Sequence, residues 1–425
     1  MKENQFTATG LLVWGTCALL YLYGFFIRTV IGTYQTSIMN DLHLSMLQFS
    51  LLSSAVFLSI YGLMQIPAGI MANMYGLKNV SFLGVLMCTV AVLGFAFTHN
   101  YSLALLFRMC MGFGTSFGFI CLLLAIYEWI PHSHSALFIG LSQFIGVFGP
   151  MFATGPLYTL SKSIGAHWRF VFICLSILGA ALLALTLSFV RNNKKKAGEY
   201  IVLSRPEKLS VSIKKLFSRS QPLYIAIVCA CLNFTLEYFS ANEGRSFLFL
   251  KGVPLTSASY MLSVAWIGFA IGSPLLGFLS DFFNRRKNIL VLCSLIGLIS
   301  TLTILYNANK SILYCAFFLL GVSASAQGIG FALIADQFKK KFVALGFGLN
   351  NAIIMLIPAV MAPFLGFLLD CKKAGSCLIL NEYLWVFNIL ILIYLIALAL
   401  SCFLIKETYG KSLVDFTYLK PKKNI

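Results

Sequence analysis

The stretch GIMANMYGLK, Gly69–Lys78, has a second copy 208 residues further on, GFLSDFFNRRK at Gly277–Lys287. Each follows a long apolar run, and each reads as glycine, three residues, Asp or Asn, then a short turn with basic residues. Self-similarity at that distance divides the chain into two related halves. Working outward, the 425 residues are 59% hydrophobic and 10% charged, with a mean hydropathy of +0.89. A water-soluble domain needs roughly a quarter of its residues charged, so lipid is the solvent that fits. At about 20 residues per span, the apolar runs predict twelve helices, the first over 11–39, the seventh over 222–248 and the last over 383–405. The first run exceeds a bilayer's thickness, so it tilts or projects past the headgroups. It also passes straight through Arg28, which predicts a retained helix rather than a cleaved leader.

The halves are predicted to be six-helix bundles at 1–190 and 222–406, joined by a basic linker over 191–221 and followed by a tail over 407–425. The fold expected is therefore all-α, with twelve transmembrane helices in two pseudo-symmetric bundles. Of the 31 Lys and Arg residues, 22 fall in loops on the side of the N-terminus and 7 on the other. That bias predicts cytoplasmic termini in a bacterial inner membrane. It also explains the net charge of +18 without nucleic acid, which is not an expected partner. The five histidines stand at helix ends or in loops, and no phosphate-cradling Gly-Lys-Ser/Thr loop occurs. No metal site, cofactor, enzymatic activity or ATP-driven step is expected. Ten of the twelve cysteines lie in apolar segments; Cys371 and Cys377 share one polar loop on the oxidising side, and are expected to form a disulfide.

The repeated loop resembles the signature G-x-x-x-D-[RK]-x-G-[RK]-[RK] of the major facilitator superfamily, which lies between helices two and three and again between eight and nine. Gly69, Gly76 and Lys78 fit the first copy, where Asn73 replaces the acid; Gly277, Asp281, Arg285 and Arg286 fit the second, where Asn284 replaces a glycine. The resemblance implies close packing at Gly69 and Gly277 and a cytoplasmic gating latch at Asp281 and Arg285. FRMCMGFG on the fourth helix, with Arg108, Gly112 and Gly114, is similar to the family's R-x-x-x-G-x-G; GVFGPMFATGP on the fifth resembles its antiporter signature, though the same residues serve plain packing. The pattern Tyr21-x-x-x-Phe25-x-x-Arg28 looks like the amino-acid and nucleoside transporters of this superfamily, the phagosomal branch among them. The resemblance thus implies a secondary transporter of a small polar metabolite, working by alternating access as a monomer with protons and the bilayer as its partners.

Charges within apolar spans point to a transport site, since each costs roughly 2.5–3.5 kcal/mol at a helix centre. Arg28, Arg108 and Glu237 are the candidates. Arg28 and Glu237 stand 209 residues apart, close to the repeat distance, so they occupy matching places on the first helices of the two halves. Tyr21, Phe25, Arg28, Gly32 and Gln35 share one helix face, as do Asn233, Glu237 and Ala241. Gln143 and Asn351 form another matched pair, with Gln65 and Tyr238 nearby. The set reads as a binding site for a carboxylate on Arg28 and an amine on Glu237. Alternatively, Arg28 and Glu237 pair as an outer gate. Glu237 and Arg108 are the expected proton-coupling groups. The substrate expected is a small carboxylate-bearing metabolite taken up with H⁺; export, antiport or carriage of a polycarboxylate such as a siderophore is the alternative.

Overall fold

The computed structural model describes residues 7–131, 134–192, 220–338, 340–373, 375 and 378–409; the expected linker and tail lie largely outside them, as does Cys377 of the expected disulfide. Among the described residues are twelve helices long and apolar enough to cross a membrane. They are α1 Ala8–Thr33, α2 Met46–Leu63, α3 Met74–Phe97, α4 Tyr101–Trp129, α5 Leu137–Ser163 and α6 Trp168–Phe189 in the first half. The second half holds α7 Ser220–Ala241, α8 Leu255–Phe283, α9 Arg286–Tyr306, α10 Lys310–Gln337, α11 Gly346–Lys372 and α12 Leu380–Leu404. Helices satisfy every backbone polar group internally, which a lipid environment demands. Side chains such as Leu63, Phe278 and Val360 are more than 60% exposed, and lipid is the surrounding that makes this tolerable.

Two helices depart from the expected outlines. The first run is not one continuous helix. It breaks at Tyr34, where backbone angles leave the helical region, and a short helix Gln35–Leu42 follows. The seventh ends at Ala241 and resumes as Gly244–Leu250. Asn242 and Glu243 fill the break, and Gly244 fits because a Cβ there would strike the Phe239 carbonyl. Both breaks face each other at the end of the molecule opposite the linker, here called the far side.

The repeated loops show what their glycines and acids do. Gly76 (φ 79°) and Asn284 (φ 52°), 208 residues apart, both adopt left-handed backbone conformations. Asn284 (ψ 36°) is in the αL region that Asn tolerates, whereas Gly76 (ψ 164°) is in a region nearly restricted to glycine, so the two turns differ in backbone geometry. The next turn begins a helix, and its free N–H groups are capped from the end of the half. Asn192 Oδ1 accepts from Lys78 N at 2.8 Å, while Glu407 accepts from Arg286 N at 3.0 Å and Lys287 N at 2.9 Å. Arg286 also pairs with Asp336 at 3.3 Å. The acids that contact this helix end are therefore Glu407 and Asp336, while Asp281 is exposed and Arg285 stacks over Tyr409. Gly69 and Gly277 have open space where a Cβ would stand, so the expected close packing is absent at both. Asn73 lies within the helical run that follows α2.

Candidate functional site

Between the halves, α1, α2, α4 and α5 meet α7, α8, α10 and α11 around an open volume of ≈ 470 Å³. Tyr21, Phe25, Arg28, Gln143, Asn233 and Asn351 line it, all expected from sequence. Tyr61, Trp266 and Gln327 join them, with Met355 and the rings of Phe119, Phe269 and Phe331. Tyr21 donates to Gln143 Oε1 at 2.9 Å and packs edge-on against Phe25. The wall is thus mostly aromatic, with a few hydrogen-bonding groups, in the manner of small-molecule sites.

Arg28 and Glu237 form a two-pronged ion pair. Nε lies 3.0 Å from Oε1 and Nη2 donates to Oε2 at 3.0 Å. Both side chains are almost wholly buried. The guanidinium lies 4.2 Å from the Phe25 ring centroid, and Nη1 has the weak acceptor Met355 sulfur at 3.6 Å. Arg28 fronts the cavity and Glu237 stands behind it. A planar fork held on one edge by a carboxylate keeps its other edge ready for a second anion.

Three expected members fall elsewhere. Gln35 lies beyond the break at Tyr34, where Ser246 donates to its Oε1 at 2.8 Å. Face-sharing with Arg28 fails because the helix does not continue. Tyr238 is buried in the second half against Phe234, Phe239 and Phe387. Gln65 donates back to Tyr61 O at 3.2 Å and supports the cavity wall rather than forming it.

Arg108 also lies outside the cavity, and it does not reach for the headgroups. It is fully buried, stacked 4.5 Å over Phe57. Its donors go to Leu52 O at 3.2 Å, Ser53 O at 2.8 Å and Ile27 O at 3.0 Å. Residues Leu51–Ala55 of α2 form a π-helical turn, which leaves carbonyls without regular helical partners, and Arg108 supplies the donors. Gly112 and Gly114 allow the approach, since a Cβ would sit 2.5 Å from Phe57 O or 2.6 Å from Gly84 O. The fifth-helix glycines pack likewise: a Cβ at Gly149 would fall 2.6 Å from Leu22 O.

On the far side the halves are stitched together. The Asp370 carboxylate accepts from Met46 N at 2.9 Å and Leu47 N at 2.8 Å, capping α2 from across the interface. Asn242 bonds Ser53 and donates to Ser54 Oγ at 2.9 Å. Arg245 donates to the Thr33 carbonyl and stacks 4.1 Å over Tyr158. Ser263 bonds Thr154 and accepts from Gly155 N, both at 2.8 Å. A Cβ at Gly32 would overlap the Ser240 carbonyl, so α1 and α7 touch there. This far gate is closed.

The fold and this site define a two-bundle secondary transporter. The sequence pattern of the Major Facilitator Superfamily matches residues 16–251 and 246–416, and the chain belongs to that family. It is 26% identical to an uncharacterized transporter of Schizosaccharomyces pombe over 72% of this chain and 66% of that one. It is 22% identical to the uncharacterized transporter YybO of Bacillus subtilis over 91% and 96%. A probable sulfoacetate transporter of Cupriavidus necator is 28% identical over 42% of this chain and 40% of its own. The chain thus spans just under two thirds of the yeast relative's length and well under half of the last. Among solved structures, a bacterial homologue of the human lysosomal transporter Spinster aligns with a TM-score of 0.76 at 16% identity, covering 97% and 99% of the two chains. The nucleoside transporter NupG gives 0.71 at 13% identity, covering 93% and 99%. Both likenesses concern the fold.

Proposed function

We propose that the protein takes up a small carboxylate-bearing metabolite, such as an amino acid, together with H⁺, by alternating access. On this reading it works as a monomer in a bacterial inner membrane with both termini cytoplasmic. The two-pronged Arg28–Glu237 pair at the cavity wall carries the proposal. A substrate carboxylate entering the cavity competes with Glu237 for the Arg28 fork. Glu237, once displaced, is a buried carboxylate without a counter-ion, a costly species that a proton neutralises. Substrate binding and proton binding then become one event. The relative described as a probable sulfoacetate transporter adds a precedent for an anionic substrate.

The test is uptake into proteoliposomes under an imposed inward pH gradient, with amino acids, nucleosides and polycarboxylates as candidates. Accumulation that collapses with a protonophore supports the reading, and Glu237→Gln should abolish accumulation while sparing substrate exchange. Uptake indifferent to the pH gradient would refute it.

A further inference from the structure

Glu243 is a second buried acid between the halves, and the transport reading makes no use of it. It stands in the break of the seventh helix, 0% exposed. One oxygen accepts from Ser50 Oγ of α2, across the interface, at 3.3 Å. The other, Oε2, has no hydrogen-bond partner. The groups facing it are the Tyr238 hydroxyl on its own helix, Tyr383 on α12 and the Asp370 carboxylate on α11. The one charged neighbour among these is thus another acid. Arg245, two residues along, is turned away toward the Thr33 carbonyl and Tyr158. Glu237, the other acid of this helix, is committed to Arg28.

Such an environment holds a protonated carboxyl far better than a carboxylate. A neutral acid needs one acceptor for its proton, and Ser50 Oγ or the Tyr238 oxygen, which itself lacks a partner, can serve. An ionised one would face Asp370 with no cation to offset it. The neighbouring contacts of Asn242 with Ser53 and Ser54, and of Asp370 with Met46 and Leu47, show that this position is the seam of the far gate. When the gate parts, Ser50 leaves with the first half and water reaches Glu243.

We infer that Glu243 is a proton-binding site of the far gate: the gate closes with a proton on Glu243 and releases it to the far side on opening. The inference rests on the alternating-access reading for its use in transport, yet it needs no substrate and no net proton movement, so the two can fail separately.

The experiment is hydrogen exchange read by mass spectrometry on the full chain without substrate. It follows peptides covering 44–54 and 238–250 between pH 6 and pH 8, corrected for intrinsic exchange. In the wild type, opening of both peptides should rise with pH, by up to about tenfold per unit, the limit for one linked proton. Glu243→Gln, an isostere of the protonated acid, should hold both peptides protected and flat across the range. Glu237→Gln should keep the wild-type slope. A flat wild-type profile, or an unchanged slope in Glu243→Gln, would overturn the inference. Should Glu243→Gln not fold, infrared difference spectra of the Glu237→Gln protein decide it. Loss of a protonated-carboxyl band as the gate opens supports the inference, and no such loss refutes it.

Discussion

Replacing Arg28 by lysine separates a binding role from a purely structural one. The guanidinium makes two parallel contacts to Glu237, each 3.0 Å, and rests on the Phe25 ring at 4.2 Å. A lysine ammonium keeps the charge but is a point donor, so it can satisfy Glu237 or a substrate carboxylate well, not both in the forked geometry. The loss is about one charge-assisted hydrogen bond, roughly 1.5–3 kcal/mol. At about 1.4 kcal/mol per decade, affinity for a carboxylate substrate should fall by roughly 10- to 150-fold. The pair itself persists in weakened form, so folding should survive with a modest drop in melting temperature. Binding is read by calorimetry or by ligand-induced thermal shift on purified Arg28→Lys, with the esterified substrate as control. The ester lacks the carboxylate and should lose little further affinity in the variant. Wild-type affinity for the free acid in Arg28→Lys would remove Arg28 from the site and leave the pair as a strut.

Three more outcomes follow from the geometry. Asp370→Asn keeps the shape but loses the charge that caps Met46 N and Leu47 N; at about 1–2 kcal/mol it should raise far-side opening by roughly 5- to 30-fold, seen as faster exchange of peptide 44–54. Arg108→Met strands the carbonyls of Leu52, Ser53 and Ile27, so stability should fall by about 3 kcal/mol or more and a thermal melt should shift down sharply; an unchanged melt would show that the π-helical turn needs no external donor. Cys371 and Cys377 should be joined, and mass spectrometry after alkylation without reductant checks this, both thiols alkylated being the adverse result.

Much of this was legible before any coordinates. Twelve apolar runs, a charge bias and a repeated loop define the fold because lipid imposes simple length and polarity rules. Arg28, Glu237, Gln143 and Asn351 were found because a two-fold repeat puts residues about 208 apart in matching places. What escaped is what depends on helix breaks. Gln35 shares a face with Arg28 only if the helix continues past Tyr34, and it does not. Glu243 was not singled out, because the seventh helix was expected to run unbroken to residue 248; the ANEG sequence at Ala241–Gly244, poor in helix formers, was the available signal. Trp266, Phe269 and Phe331 of the cavity wall are three of the 62 Trp, Tyr and Phe residues of the chain, and nothing local sets them apart. Glu407, the true cap of α9, lies 120 residues from Lys287 in sequence, so only the three-dimensional closure of the bundle connects them.

The Arg28–Glu237 pair sets the charge balance of the proposed cycle, and transmembrane voltage tests it. Empty, the site is neutral, with Arg28 cationic and Glu237 anionic. A monocarboxylate on Arg28 leaves one excess buried negative charge unless Glu237 takes a proton. At about 3–5 kcal/mol for an unpaired buried charge, the unprotonated loaded carrier is rarer by two to four decades, which prevents slippage. Monocarboxylate uptake through Glu237 is therefore electroneutral. An amino acid alters the balance, because its ammonium adds one positive charge to the same protonated site, so each cycle moves one net positive charge inward. The measurement is uptake into proteoliposomes with the potential clamped by potassium and valinomycin at fixed pH. Monocarboxylate uptake should be independent of potential, and amino-acid uptake should rise with an inside-negative potential. Proton-coupled amino-acid uptake that ignores the potential would refute this charge balance.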